Sequence, residues 1–334
     1  MPQSQQHDQQ GPDGQTGQCD QRLAQAGVFL VGSERSGTTM LRLMLDHHPQ
    51  LAWAKEFEYA IDRVGDDGHR PDVAEFADWL TQHRVFQETG FKIDPGLGFD
   101  DLVRSFIRQR GDEAGKAYVG ATVHRHFDRL LEVWPDARFI HLVRDPRDVA
   151  PSVIKMGWAG TLYHGCARWV EAERLWDRLS NELPEDRHIS IRFEDLLADP
   201  KGVLGELCTF LGLAFDEQML SFHQDTTYDP TDPSASQRWK KTLSPNGIGL
   251  IEGRVGALLE SRGYTPSGHP VVHPGAIMKA WLGCKNRIYR LRKRIKKYGI
   301  GLWAWALVTR RVSPNRLYRQ AAQRMQAIDR EHIR

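Results

Sequence analysis

The loop from Gly32 to Thr39 holds the first residues whose types and spacing suggest chemistry. It reads GSERSGTT and follows the apolar run GVFLV at 27–31, which predicts a buried strand. The run MLRLML after the loop has helical spacing. A strand, a glycine-bounded loop and a helix together aim backbone N–H groups and a positive helix end at a phosphate. The glycine spacing is that of a P-loop, but Thr38 stands where a nucleoside triphosphatase has lysine, and Arg35 is the substitute cation.

A second loop repeats this arrangement more than a hundred residues later. The apolar segment 138–143 predicts a buried strand that runs straight into Arg144, and a helix begins there with Pro146 at an early position. A guanidinium at Arg144 suits a phosphate because it donates two parallel hydrogen bonds. The alternative is an ion pair with Asp145 or Asp148. Both loops follow strand ends, where parallel sheets bind ligands, so we expect them to face one crevice.

The order of elements predicts an α/β fold. Strands alternate with segments of helix length, which indicates parallel pairing in a three-layer α/β/α architecture with a P-loop-like sheet. With 334 residues and 40% hydrophobic residues, the chain is long enough for one large domain with appendages. We expect a disordered lead at 1–22, a catalytic domain at 23–264 and a basic helical extension at 265–334.

Cysteine spacing and hydropathy indicate the cellular compartment expected for the protein. The four cysteines are far apart and none has metal-ligand spacing, so we expect no metal site and a reduced, cytoplasmic protein. The lead is rich in Gln and Gly and lacks an apolar core, which argues against a signal peptide. No apolar run is long enough to predict a transmembrane helix.

The C-terminal extension is strongly basic. Segment 265–334 contains 16 Lys and Arg residues against 2 Asp and Glu residues, which points to an anionic partner. Within 285–298, four apolar residues share one helical face: Ile288, Leu291, Ile295 and Tyr298. A Trp-rich run, GIGLWAWALV, follows. We therefore expect segment 285–311 to anchor on an anionic membrane surface; a hairpin packed on the body and a homodimer contact stay open, and no motif predicts nucleic acid binding.

Both loops carry a family resemblance. The segments VGSERSGTTMLRLMLDHHPQL and RFIHLVRDPRDVAPSVI resemble the sulfotransferases that use 3′-phosphoadenosine 5′-phosphosulfate (PAPS). The branch most similar is that of bacterial enzymes resembling tyrosylprotein sulfotransferases, and the resemblance runs from about Gly27 to Tyr264. It implies transfer of a sulfuryl group from PAPS to a hydroxyl-bearing acceptor with release of 3′-phosphoadenosine 5′-phosphate (PAP). No metal is required, since a sulfuryl group carries less charge than a terminal phosphoryl group.

The resemblance also implies roles for individual residues. Arg35 would contact the bridging oxygen and the leaving phosphate. The backbone N–H groups that would cradle this phosphate belong to Ser36, Gly37, Thr38 and Thr39. Arg144 and Ser152 would hold the 3′-phosphate. Phe193 would pack near the adenine. Lys240 and Lys241 would belong to the segment that covers the nucleotide. This cover segment, residues 237–243, has an alternative interpretation as a solvated loop with one anchoring residue, Trp239.

The general base is implied to be Glu56, counted along the gapless match from Arg35. Glu58, two residues away, is one competing candidate. His124 is another, because the resemblance extends to the cytosolic branch of the superfamily, in which a histidine serves as base. A further interpretation is that Glu56 begins a helix running to Val64 and favours its positive end.

Two departures from the family pattern bear on the site. The lysine that many relatives carry after the strand at 117–123 is missing, and Arg125 or Lys155 could supply its charge. Glu34 lies inside the phosphate loop, so we expect its carboxylate to point away from the anion.

The sequence leaves two other functions open. They are a P-loop kinase and a non-catalytic, membrane-associated nucleotide-binding protein. For a sulfotransferase, protein tyrosine, a carbohydrate, a lipid and a small metabolite are all open as acceptors.

Overall fold

A parallel sheet of five strands organises the fold. The computed structural model describes residues 27–227, 229–312 and 317–332. The strands are β1 (Val28–Val31), β2 (Leu51–Glu56), β3 (Tyr118–Val123), β4 (Arg138–Val143) and β5 (His188–Arg192). Their order across the sheet is β2-β3-β1-β4-β5, and every neighbouring pair is parallel. The α/β prediction with parallel pairing is therefore confirmed.

Helices connect and follow the strands. In chain order they are α1 (Thr38–Asp46), α2 (Val73–Gln82), α3 (Arg84–Gln87), α4 (Phe99–Ala114), α5 (Leu130–Val133), α6 (Pro146–Lys155), α7 (Leu162–Gly165), α8 (Ala167–Glu182), α9 (Phe193–Ala198), α10 (Pro200–Leu211), α11 (Trp239–Thr242), α12 (Pro245–Val255), α13 (Leu258–Ser261), α14 (Ala276–Tyr298), α15 (Ile300–Val312) and α16 (Leu317–His332). Among these described helices, none combines the length and the apolar composition that a transmembrane segment needs.

The described chain forms two compact units. The first contains the sheet and consists of 27–32, Gly37–Val143 and Leu175–Pro233. The second consists of Ser33–Ser36, Arg144–Arg174 and the chain from Ser234 onward. The predicted lead at 1–22 lies outside the described residues, and the predicted boundary at 264 stays a prediction.

The first loop begins at the end of β1, the central strand of the sheet. β1 lies between β3 and β4, with Val31 opposite Val123 on one side and His141 on the other. All four residues of β1 are buried, as expected for a strand covered on both faces. Because β1 and β3 end at the same level, Gly32 and His124 leave the sheet side by side.

Aromatic packing explains where one sequence interpretation was wrong. The helix predicted from Glu56 to Val64 does not form: β2 continues to Glu56, and a 3₁₀ turn, Glu58–Ala60, follows. Phe57 and Tyr59 are both buried, with ring centroids 5.0 Å apart. Burial of these rings in the core outweighs the local preference for a helix, so Glu56 is not a helix-start residue.

Candidate active site

Glycine is required at both ends of the phosphate loop. Gly32 has φ 141°, and a Cβ there would lie 2.3 Å from the carbonyl oxygen of Leu142. Gly37 has φ 98°, and a Cβ there would lie 2.2 Å from the ring of Phe193. Phe193 is itself only 3% exposed. The aromatic ring implied for adenine thus packs directly against the loop backbone and fixes its path.

The start of α1 is prepared for an anion. Gly37 occupies the N-cap position without a side-chain cap, and the first turn, which opens with Thr38 and Thr39, has no acidic residue. Ser36 is fully buried, yet its Oγ atom has no hydrogen-bond partner among the described residues. A buried hydroxyl without a partner is costly, and a bound oxyanion would supply the partner. The loop therefore fits a phosphate group.

A hydrogen bond joins the phosphate loop to α6. Arg35 adopts a left-handed conformation with φ 73°, which is uncommon for a residue with a side chain. Its Nε atom donates to the Oγ atom of Ser152 at 3.0 Å. These residues are 117 positions apart and belong to the second unit. The structure therefore brings the residue implied for the leaving phosphate to one implied for the 3′-phosphate.

Glu34 turns away from the loop interior, as expected. Its carboxylate forms an ion pair with the guanidinium of Arg168 in α8. Arg168 also lies over the ring of Trp158 at 5.2 Å. The pair neutralises the one acidic side chain in the loop.

Arg144 is held from two sides. Its carbonyl oxygen accepts a hydrogen bond from Trp169 Nε1 at 2.9 Å, and Trp169 is fully buried in α8. Its Nη2 atom donates to the carbonyl oxygen of Ala235 at 2.9 Å. The neighbouring Asp145 forms an ion pair with Arg147 at 2.7 Å. The structure thus fixes the backbone of Arg144 and the direction of its guanidinium within the second unit.

The cover segment is anchored by its tryptophan. Trp239 is 6% exposed, and its backbone N–H donates to Asp148 Oδ1 at 2.8 Å. Lys240 and Lys241 are exposed on the short helix α11, and Lys240 Nζ donates to Gln237 Oε1 at 2.6 Å. The two lysines therefore follow directly after an anchored residue, and both are exposed to solvent.

A buried charge cluster supports this segment, and the sequence interpretation missed it. Arg147 is 2% exposed and donates from Nε and Nη2 to both oxygens of Asp145, at 2.8 and 2.7 Å. Its Nη1 atom donates to Glu252 Oε1 at 2.7 Å, and its guanidinium lies 3.9 Å from the ring of Trp239. Glu252 is 105 residues away, so no local pattern could have indicated the pair.

We expect Arg147→Met to lower the free energy of unfolding by about 3–5 kcal/mol, because it leaves two buried carboxylates without a counter-charge. Urea unfolding followed by circular dichroism measures the change. Arg254→Met is the matched control: Arg254 lies over the Tyr163 ring at 4.1 Å, and its loss should cost about 1 kcal/mol or less. Equal losses in the two variants would contradict the role of the cluster.

The three candidate bases differ in their surroundings. Glu56 is exposed at the end of β2. Glu58 is 6% exposed, and its Oε1 atom accepts the backbone N–H of His124 at 3.0 Å. Burial raises the pKa of the Glu58 carboxyl, although the nearby His124 partly opposes this rise. Glu58 is thus occupied in holding the end of β3, whereas Glu56 is accessible.

His124 also has a structural contact. Its Nδ1 atom lies 2.9 Å from the carbonyl oxygen of Gly32, and it is 9% exposed. Because a carbonyl oxygen only accepts, Nδ1 must carry the proton in this hydrogen bond. His124 thereby ties the end of β3 to the first residue of the phosphate loop.

The two cations considered for the missing lysine have different surroundings. Arg125 donates from Nε to Asp62 Oδ1 at 3.0 Å and from Nη2 to Oδ2 at 2.6 Å, so its charge is engaged by a carboxylate. Lys155 is exposed at the end of α6. Over the described ranges, no group of three or more His, Cys, Asp or Glu side chains is arranged to hold a metal ion.

Comparison with known proteins supports the family resemblance of both loops. Residues 27–217 match the model of the Sulfotransferase family. The chain is 30% identical over 299 residues to the omega-hydroxy-beta-dihydromenaquinone-9 sulfotransferase Stf3 of Mycobacterium bovis, covering 72% of this chain and 76% of that protein. It is 22% identical over 269 residues to protein-tyrosine sulfotransferase A of Caenorhabditis elegans, covering 73% of this chain and 68% of the relative.

A solved structure shares the fold. The sulfotransferase domain from the Synechococcus PCC 7002 olefin synthase superposes with a TM-score of 0.55 at 20% sequence identity, covering 72% of this chain and 94% of that domain. The family match spans more than half of the chain and contains both loops. The chain therefore belongs to the sulfotransferase family, within the PAPS-dependent superfamily that its two loops resemble.

Proposed function

We propose that this enzyme transfers a sulfuryl group from PAPS to a hydroxyl of its acceptor and releases PAP. The observation that carries the proposal is the hydrogen bond from Arg35 to Ser152, at 3.0 Å, because it joins the loop suited to the 5′-phosphosulfate to the helix suited to the 3′-phosphate. PAPS, when bound, supplies an activated sulfuryl group on a phosphate leaving group.

The first loop binds the leaving phosphate. The N–H groups of Ser36, Gly37, Thr38 and Thr39 donate to it, together with the buried Ser36 hydroxyl that has no partner among the described residues. Arg35 neutralises the charge that develops on this phosphate as its bond to sulfur breaks. Most of the rate enhancement then comes from positioning and electrostatic stabilisation.

The second loop binds the other end of the nucleotide. Arg144 and Ser152 hold the 3′-phosphate, and Phe193 packs beneath the loop at the adenine side. Lys240 and Lys241 add positive charge at the cover segment. A doubly phosphorylated adenosine carries more negative charge than adenosine monophosphate, so cations at both ends favour it.

Glu56 acts as general base in this proposal. It takes the proton of the acceptor hydroxyl while the acceptor oxygen bonds to sulfur and the bond from sulfur to the 5′-phosphate oxygen breaks. The position of Glu56 in the family match and its accessibility at the end of β2 support this role. The burial of Glu58 and its bond to the His124 N–H favour a supporting role for Glu58.

We propose a lipid hydroxyl as the acceptor, met at the inner face of the cytoplasmic membrane. Two observations support this choice: the basic extension at 285–311, which complements anionic lipids, and the named hydroxymenaquinone acceptor of the 30% identical relative. The protein-tyrosine relatives favour a tyrosine acceptor instead, and that is the second candidate.

The test is transfer from ³⁵S-labelled PAPS to a panel of acceptors. The panel contains a hydroxylated quinone, a fatty alcohol in vesicles, a tyrosine peptide and an oligosaccharide. We expect label on a lipid hydroxyl and stoichiometric PAP. Label on the peptide alone would replace the lipid proposal, and phosphoryl transfer from labelled ATP would overturn the sulfotransferase proposal itself.

A further inference from the structure

Helix α14 packs by one face against the rest of the second unit. Leu282 is 4% exposed, and Asn286 accepts the Gly160 N–H on its Oδ1 atom at 2.7 Å. The Tyr289 hydroxyl donates to the carbonyl oxygen of Ile154 at 3.1 Å. Three contacts along one side therefore fix how the helix is rotated about its axis.

The opposite side carries an exposed apolar stripe. Its members follow one another at intervals of three or four residues, which places them on one face of a helix. They are Ile277, Trp281, Cys284, Ile288 and Leu291. Ile277 is 89% exposed and Trp281 57%, in the part of the chain that the structure describes. Such a row of large apolar side chains is unusual on a water-facing surface.

Cations border the stripe on both sides. Helix α14 contains nine Lys and Arg residues and no Asp or Glu. At 100° per residue, Lys285 and Arg292 flank the stripe on one side and Arg287 and Arg294 on the other, and all four are exposed. Lys285 Nζ also lies 5.1 Å from the ring of Trp281. An apolar strip between two rows of cations complements acyl chains bordered by anionic headgroups.

The tryptophans of α15 are less exposed to solvent than Trp281 of α14. Trp303 and Trp305 are half-buried, and Arg324 of α16 lies over the Trp305 ring at 5.2 Å. Trp281, which lies before the segment 285–311, is the more exposed indole. The geometry thus favours α14 over the Trp-rich run as the main contact with a membrane.

We propose that α14 lies flat on an anionic bilayer, with the 277–291 stripe in the headgroup–acyl boundary. This inference rests on the membrane partner of the proposed function and specifies the surface that binds it. The stripe from Ile277 to Leu291 spans about 21 Å at 1.5 Å per residue, which gives an extended line of contact. Cations snorkel to the headgroups on either side, so both apolar and electrostatic contributions are expected.

The packed side of α14 contacts α6, the helix that contains Ser152. Ile154, which accepts the Tyr289 hydroxyl, lies two residues after Ser152 in α6. Helix α14, about 10 Å in diameter, thus has α6, the helix proposed to hold the 3′-phosphate, on its packed side and the stripe on its outward side. Membrane attachment through this stripe would keep α6 close to the bilayer where a lipid acceptor resides.

Flotation of the full chain with vesicles tests the proposal. We expect the protein to float with phosphatidylcholine–phosphatidylglycerol vesicles and to stay behind with phosphatidylcholine alone. Trp281→Glu combined with Ile288→Glu should reduce partitioning at least about tenfold, because both charges would enter the apolar boundary. Val271→Glu, which adds a charge at a 51% exposed apolar residue outside the helix, should float like the wild type.

A second variant separates charge from apolar contact. Arg287→Gln with Arg292→Gln should weaken binding to the anionic vesicles by about fivefold per cation. The proposal is overturned if the wild type floats with neither vesicle, or if the Trp281/Ile288 variant floats as well as the wild type. It is equally overturned if light scattering shows a dimer that this variant converts to a monomer, because the stripe would then be a subunit contact. PAP binding, measured without vesicles, reports on the proposed catalytic function independently.

Discussion

Replacing Arg35 with alanine should lower kcat for sulfuryl transfer by about 10²–10³-fold. The guanidinium is proposed to neutralise charge on the leaving phosphate, and that charge grows only as the bond to sulfur breaks. The loss should therefore appear mainly in kcat, with a smaller change in the affinity for PAP. Steady-state assay with labelled PAPS and isothermal titration with PAP measure the two quantities.

Two comparisons make the Arg35 result specific. Arg35→Lys keeps the charge but removes the Nε–H that donates to Ser152, so we expect activity between the wild type and Arg35→Ala. Lys92→Ala removes an exposed cation of the first unit and should leave kcat unchanged. If Arg35→Ala retained wild-type kcat while folded, the leaving-group role would be wrong.

The second large effect is expected at Glu56. Glu56→Gln should lower kcat by about 10²–10⁴-fold, because glutamine cannot accept the hydroxyl proton. PAP affinity should not change. Turnover at several pH values, with PAP binding measured on the same preparation, separates loss of the base from loss of the nucleotide site.

Glu58→Gln is the matched control for Glu56. It keeps an oxygen that can accept the His124 N–H, so we expect turnover close to that of the wild type. Burial raises the pKa of Glu58, so this carboxyl favours folding most below its unfolded pKa and loses that contribution as pH rises through the folded pKa. Glu58→Gln should thus be stabilising at neutral pH, and the gain should vanish in acid. Loss of turnover in Glu58→Gln but not in Glu56→Gln would reverse the two roles.

The sequence was sufficient for features that depend on local pattern. The apolar runs gave β1 and β4, and glycine spacing indicated the loop whose two glycines prove to have no room for a side chain. Pro146 at the start of α6 marked that helix correctly. These signals are readable because a buried parallel strand, a glycine with positive φ and a helix N-terminus each impose a short-range constraint.

What the sequence could not give depends on distant contacts. Glu56 was open to interpretation as a helix start because the burial of Phe57 and Tyr59 is decided by the core and not by their neighbours in sequence. The Arg147–Glu252 pair joins residues 105 positions apart. Similarly, Trp281 could be recognised as outward-facing only after the packed side of α14 was known.

The central claim is that the two loops hold both phosphates of one nucleotide, and PAP against adenosine 5′-monophosphate (AMP) tests it most directly. By titration calorimetry, the wild type should bind PAP at least about tenfold more tightly than AMP, since one charge-assisted phosphate contact is worth about 1.5–3 kcal/mol. Arg144→Ala should lose most of this preference while its affinity for AMP changes little. If Arg144→Ala kept the wild-type ratio of PAP to AMP affinity, the second loop would not bind the 3′-phosphate and the account would be contradicted.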